Sequence, residues 1–483
     1  MTVTCIRNAA WIIAWDAAEA RHAYLTDADL VFEGNTIRFV GRRYGGPCDV
    51  EIDGRALMVM PGLVDIHSHP STEPFFRGVR EEHGMPSMHM TGLFQRIVAF
   101  PTDAEGRKAG KEVAYCEMLL TGITTIADLS GNDPGWIDQA ASSGLRVVLA
   151  PMFASARWHL ENDWKLKYIW DIAAGRRGLE QALALIDQAS AHPSGRLSGM
   201  VSPSQIDTCT PELLRDSFDA AADRNLPFTV HCAQAVNEFH EMVDRHGRTP
   251  VQWADDIGIL GPSTLLGHAI FIDEHSWLHW HTRTDLGILA AKGVSVAHCP
   301  SPFARYGQTL EDFGRYRRAG VNMGLGTDVS PHNLIEEMRL AGTLARVAAE
   351  DITTTSTADL FHAATVGGAL ALGRTDIGRL AVGARADLVL VDLSNPFMRP
   401  VRDPLRAMVF AAADRAIAAV YVDGIRVMEG GRVLTMDHEN ALARLGEAQA
   451  RMLGRVAGQD WAGRSAEQLT PMSLPMWRES NRK

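Results

Sequence analysis

The sequence predicts an α/β fold: a (β/α)8 barrel of the TIM type carrying a small β-sandwich built from both chain ends. Three observations lead there. Across residues 61–378, eight short apolar segments alternate with stretches of helical length and period, the pattern of parallel strands and their crossovers. At 1–60 and 379–436 the text is short-period instead, cut by turn residues such as Gly34-Asn35, Gly45-Gly46, Asp53-Gly54 and Asp423-Gly424. Five of the eight central segments end in His or Asp, at the carboxyl ends where such a barrel carries its chemistry.

In chain order, strand-like runs at 5–15, 28–32, 36–40, 50–53 and 57–60 are too few and too short to stand alone. The same holds for those at 386–392, 409–411, 416–422, 425–428 and 433–435, so the two sets are expected to join in one sandwich. Barrel strands are expected at 63–66, 124–128, 146–152, 197–201, 227–231, 264–271, 294–298 and 321–326. The helices follow at 104–121, 136–143, 179–189, 211–224, 237–246, 284–292 and 310–319, then at 334–350 and 357–369. Residues 71–100, rich in Phe and Met, read as a long irregular loop that walls a substrate pocket. Residues 437–483 read as a helix and an apolar tail that packs on the chain's own body or on a neighbouring subunit; a homodimer or larger homo-oligomer is expected.

Composition narrows the class. The chain has 483 residues, 46% hydrophobic and 22% charged, as a large globular enzyme does. A net charge of -11 without any Lys/Arg block argues against nucleic acid or an anionic membrane as partner and leaves a small molecule. The six cysteines are scattered without a Cys-x-x-Cys pair, so they read as reduced thiols of a cytoplasmic protein. Neither a leader peptide nor a membrane-spanning run is recognisable.

The opening barrel strand reads Pro61-Gly62-Leu63-Val64-Asp65-Ile66-His67-Ser68-His69. Residues i and i+2 of a strand share a face, so His67 and His69 point the same way, as a chelating pair does. With 18 His in the chain, one such pair is expected by chance, and any single His or Asp has an ordinary reading as a core or capping residue. The set is harder to dismiss. His231, His268, His298 and Asp328 follow at the ends of strands five to eight, and clustered polar groups cost stability unless something binds them. Imidazoles with one carboxylate suit zinc foremost, with Fe(II), Mn(II) or Co(II) as alternatives.

Together with Ala297-His298-Cys299-Pro300, Gly326-Thr327-Asp328 and Gly383-Ala384-Arg385-Ala386-Asp387-Leu388-Val389, these pieces resemble the amidohydrolase superfamily over about residues 5–435. The resembling subgroup holds cytosine, guanine and S-adenosylhomocysteine deaminases and the triazine hydrolases. The resemblance implies a metal-dependent hydrolase of non-peptide C–N bonds. One divalent ion per subunit would be held by His67, His69, His231 and Asp328, with His268 beside the nucleophilic water. Two-metal relatives carry a lysine after strand four that becomes carbamylated; 198–205 contains none, so a single ion is expected. Deaminases of the subgroup place a glutamate three residues after the strand-five histidine, and here Gln234 stands there.

An amide can orient a substrate but cannot carry a proton. Attack on an aromatic amidine carbon needs ring protonation, whereas attack on an amide, urea or carbamate carbonyl needs only polarisation and a protonated leaving group. Gln234 therefore tilts the expectation towards acyl-type C–N hydrolysis of a small, largely apolar nitrogen compound. The alternative is hydrolytic deamination or dechlorination of an amino-substituted heterocycle such as a triazine, pterin, purine or pyrimidine, with Glu238 or a group from 71–100 as the acid. An inactive scaffold is a third reading, against which the complete ligand set argues. Asp328 is expected to move the water's proton and His268 to hydrogen-bond the nucleophile; Asp328 or His298 would protonate the leaving nitrogen. Substrate contacts are expected from Phe76, Arg80, His83, Met88, His89, Trp158 and Phe303. No Gly-rich phosphate loop is present, so a phosphorylated substrate is not expected.

Overall fold

The computed structural model describes residues 2–79 and 88–477. Its barrel strands are, in order, Leu63–Ser68, Ile123–Asp128, Arg146–Leu149, Leu197–Gly199, Phe228–Cys232, Thr264–His268, Ser295–His298 and Asn322–Leu325. Strands one to four and five to eight form two parallel ladders. Parallel bridges from Val201 to Phe228 and from Ser68 to Asp328 close the ring. At the second seam Asp328 N–H donates to His67 O at 2.8 Å and His69 N–H donates to Asp328 O at 3.2 Å. Nearly every residue of these strands is buried, which is why they read as apolar runs without alternation.

Most helices begin where the sequence signals them. Asp103 caps Ala104–Leu120 by accepting from Gly106 N–H, and Thr210, with Pro211 after it, caps Pro211–Asp223 through Leu213 N–H. Two elements lack such signals and depart from expectation. Helix Thr91–Ala99 lies inside the stretch expected to be irregular; it follows Met90, at φ 60°, with no side-chain cap. After strand three, Ala156–Leu160 pairs with Leu166–Trp170 in an antiparallel hairpin. The expected strand at 409–411 is instead a π-helical turn, Met408–Ala412, and the sixth barrel strand stops at His268 rather than at 271.

The two chain ends share one nine-stranded sheet, joined where Leu57–Pro61 runs antiparallel to Leu388–Asp392. The sheet folds over on itself. Phe32 and Tyr421 lie on strands separated by three others, yet their rings meet edge to face at 5.8 Å over a core that includes Ile6, Ile12, Leu30, Val59 and Leu390. A buried ion pair fastens this unit to the barrel: Arg146, opening strand three, donates to both oxygens of Asp387 at 3.0 and 3.1 Å and to Asp423 at 3.0 Å. Cys5 and Cys48 form a disulfide, where free thiols were expected, because Val3–Asp16 runs parallel to Val50–Asp53 and brings their Cα atoms to 6.0 Å. The other four cysteines are buried thiols.

Helix His438–Gln459 lays Ala441, Leu445, Ala448, Met452 and Val456 against Phe75, Phe76, Phe100 and Val113. Beyond Leu469 the apolar tail leaves the body, and Met472, Leu474, Met476 and Trp477 are exposed. Among the described residues, no helix is long and apolar enough to cross a membrane.

Candidate metal centre and its cavity

His67 and His69 leave the end of strand one on the same face, and Ser68 between them pairs with Asp328 beyond strand eight. His231 comes from strand five and His268 from strand six. The ring of His67 lies 4.7 Å from those of both His231 and His268, and that of His69 stacks on His231 at 5.2 Å. Asp328 Oδ1 is 3.3 Å from His69 Nε2 and 3.6 Å from His67 Nε2. One ligand atom from each of His67, His69 and His231 lies within 4.8 Å of the others, and the same is true of His67, His268 and Asp328.

Glycine makes room for this crowding. A Cβ on Gly267 would stand 2.9 Å from His67 Cε1, and one on Gly326 would stand 2.7 Å from His67 Cβ. His268 and Asp328 themselves hold left-handed backbone conformations, φ 82° and 60°, a strain that proteins tolerate at functional sites. Beneath them Asp65 ties the two seam strands together by accepting from His67 N–H, Thr327 N–H and the Thr327 hydroxyl at 3.1, 3.2 and 2.6 Å.

The electrostatics suit a cation. Burial disfavours the charged form of His67, His231 and His268, taking His231 to about 3 and His268 to about 4. Burial alone would raise Asp328, but the hydrogen bond with His69 and the surrounding imidazoles hold it well below the usual carboxylate range. His69 alone of the four imidazoles is drawn upward, against burial, by Asp328. Neutral imidazoles at His67, His231 and His268 beside an ionised Asp328 are the protonation states of metal ligands, and a bound cation would displace the proton that Asp328 draws onto His69.

Donor directions agree. His69 Nδ1 donates to Leu129 O at 2.9 Å and His231 Nδ1 to Ser204 O at 2.5 Å, so both Nε2 lone pairs face the same gap. Both ring nitrogens of His67 are buried without a hydrogen-bond partner. Orphaned buried lone pairs of this kind fit a divalent ion.

The centre opens into a cavity of about 410 Å³. Of the predicted contacts, Phe76, Trp158 and Phe303 line it, as do Gln234 and His268. Met88 lies in the hydrophobic core instead, and His89 is exposed beside Trp277; both precede helix Thr91–Ala99. Arg80 and His83 lie outside the described residues. His298 does not line the cavity; it packs on Phe313, with burial and His268 pushing it down to about 3. Glu238 is turned away too, since its carboxylate accepts from Ala233 N–H and Gln234 N–H at 2.5 and 2.9 Å.

Arg157, a cation the sequence also places near the pocket, lines it as well, whereas the sequence does not single out Glu73 and Arg96. Among the described residues Glu73 is, with Asp328, one of two carboxylates in the lining, and burial raises it. It pairs at 3.6 Å with Arg96, whose guanidinium lies over the Phe76 ring at 4.6 Å. Glu73 directly precedes Pro74 in a short turn, a position that carries no sequence signal of its own.

The pattern of the amidohydrolase family matches residues 58–427. A 5-methylthioadenosine/S-adenosylhomocysteine deaminase of Pelotomaculum thermopropionicum is 30% identical over 438 residues, 88% of this chain and 94% of that protein. A 5'-deoxyadenosine deaminase of Methanosarcina mazei is 27% identical over 88% of this chain and 94% of its own. Among solved structures, a zinc-bound adenosine deaminase of Xanthomonas campestris superposes with a TM-score of 0.78 at 24% identity, covering 93% of this chain and 98% of that one. The zinc complex of atrazine chlorohydrolase from Arthrobacter aurescens gives 0.79 at 24%, covering 92% and 100%.

Proposed function

The chain belongs to the amidohydrolase family and is a metal-dependent hydrolase of carbon–nitrogen bonds other than peptide bonds, and from that premise we propose that it deaminates an amino-substituted N-heterocycle, a purine nucleoside or a close relative. The observation that carries the reading is the run of deaminases matching 82–88% of the chain, set beside a cavity that combines the ligand cluster with apolar walls. The acyl-type hydrolysis favoured from Gln234 alone becomes the second reading, with Gln234 as its one support.

His67, His69, His231 and Asp328 are the residues we assign to a single divalent ion, zinc foremost. Such an ion lowers the pKa of water from 15.7 to about 7 and so supplies the nucleophile at neutral pH. The net reaction joins the water oxygen to the amino-bearing ring carbon and releases ammonia. His268 hydrogen-bonds the attacking oxygen; Asp328 accepts its proton and returns it to the departing amino group. The ring nitrogen also needs a proton as the carbon is attacked. Gln234 can only orient that edge, and we assign the proton to the carboxyl of Glu73, which is reprotonated by the water's second hydrogen as the carbonyl forms.

The test is product mass spectrometry on the zinc-loaded protein, with His67→Asn as control. Adenosine, 5'-methylthioadenosine, S-adenosylhomocysteine and aminated triazines, pterins and pyrimidines form one panel; amides, ureas and carbamates form the other. Exchange of amino for hydroxyl on an intact ring, with release of ammonia, supports deamination. Cleavage into an amine and an acid fragment would sink it in favour of acyl-type hydrolysis.

A further inference from the structure

Asp163 lies between the strands of hairpin Ala156–Leu160/Leu166–Trp170 and has no part in the chemistry above, yet two other segments converge on it. Gln95 Nε2, from helix Thr91–Ala99, donates to its Oδ1 at 2.6 Å, and Trp461 Nε1 donates to the same oxygen at 3.1 Å. Arg464 binds it bidentately, Nη1 to Oδ2 at 2.8 Å and Nη2 to Oδ1 at 3.0 Å. Asp460 grips the other edge of that guanidinium, taking Nε at 2.9 Å and Nη2 at 2.8 Å, and Trp461 stacks beneath it at 5.0 Å. A planar fork held along both edges has little freedom left to lose.

The two elements that meet at Asp163 are walls of the cavity. Leu93, Arg96 and Ile97 line it from the helix, and Ala156, Arg157 and Trp158 from the hairpin. They touch again through Phe94 and Trp158, edge to face at 4.9 Å, and Trp158 is anchored from behind by donating to Asp207 at 3.1 Å. The chain region that supplies Arg464 also continues the helix backing Phe76 and Phe100, two more lining residues.

We propose that Asp163 and Arg464 are positioning residues: through them the segment around 460–464 locks helix and hairpin together, giving the cavity its substrate-binding shape. This rests on the cavity being the substrate site, and is independent of the leaving group and the proton path.

Zinc-loaded full-length enzyme carrying Arg464→Leu or Asp163→Asn, with Arg464→Lys as the conservative variant, tests it. On the substrate found by the panel, KM is expected to rise about tenfold with kcat within about twofold, Arg464→Lys lying between wild type and Arg464→Leu. Hydrogen exchange, which needs no substrate, is expected to quicken in 91–99 and 156–170 together while barrel strands five and six stay as in the wild type. Unchanged exchange in those two segments, or unchanged KM, overturns the proposal. A general rise in exchange with a lowered Tm also overturns it, reducing the cluster to ordinary stability. Should no panel compound be turned over, the deaminase reading fails, and the exchange data still decide the role of Asp163.

Discussion

His69 Nε2 and His231 Nε2 lie 3.2 Å apart while the Nδ1 of each donates to a backbone carbonyl, so two lone pairs converge on one gap. A cation in that gap is expected to be essential. His67→Asn and His231→Ala should each bring zinc content, measured by plasma mass spectrometry, from near one ion per chain to less than about a tenth, with turnover falling at least about 10³-fold. Dialysis of the wild type against a chelator should abolish turnover, and added zinc should restore it.

Gly267→Ala adds a methyl 2.9 Å from His67 Cε1 without touching any ligand chemically. Tilting one imidazole should weaken zinc binding by about 10–100-fold, as loss of an orienting partner does. Competition with a chelating dye measures this. Affinity equal to that of the wild type would show that the ring has space the structure denies it.

Glu73 and Gln234 share the cavity, and only the first can carry a proton. Glu73→Gln should lower kcat for deamination by about 10²–10⁴-fold with zinc content unchanged. The double variant Glu73→Gln/Gln234→Glu should recover part of that loss. Failure of the double variant, with Glu73→Gln fully active, would remove Glu73 from the mechanism.

Arg146 joins barrel and sandwich through two carboxylates in a buried setting. Arg146→Leu leaves those charges unpaired and should cost about 3–5 kcal/mol, seen as a large fall in Tm. Replacing Asp387 by Leu as well should recover part of the loss, because one of the uncompensated charges is then gone.

Glu337 is pushed up to about 8 by burial, with Asp65 adding to the effect and the bond from Ser301 N–H opposing it. The folded chain therefore holds this proton between about pH 4.5 and pH 8, where the unfolded chain has released it, so the group's contribution to stability falls as pH rises through that window. Glu337→Gln should match the wild type in Tm near pH 4.5 and exceed it near pH 8.5, by up to about 5 kcal/mol in stability. A difference that does not grow with pH would contradict this.

The barrel and its His/Asp cluster are legible in the sequence because strand ends are. Apolar runs place the strands, and the period of two places His67 and His69 on one face. The cavity is far less legible. Helix Thr91–Ala99 follows Met90 with no capping side chain to announce it, and its rotation decides that Leu93 and Arg96 line the cavity. Glu73 gains its meaning only when the fold sets it in the same lining as Asp328 and Gln234. Cys5 and Cys48 stand 43 residues apart, and only the parallel pairing of their neighbouring strands makes them partners.

The sandwich sheet is spliced from ends that leave the ribosome far apart in time. Roughly 330 residues separate Pro61 from its partner Leu388. At about 5–20 residues per second, the edge of Leu57–Pro61 waits on the order of 15–65 s for the strand that covers it. During that interval its unpaired N–H and C=O groups can template any passing strand. The nascent chain is thus most vulnerable to misassembly while its barrel is already being built, and slowing synthesis before Leu388 should lower the soluble yield more than slowing it after Val433.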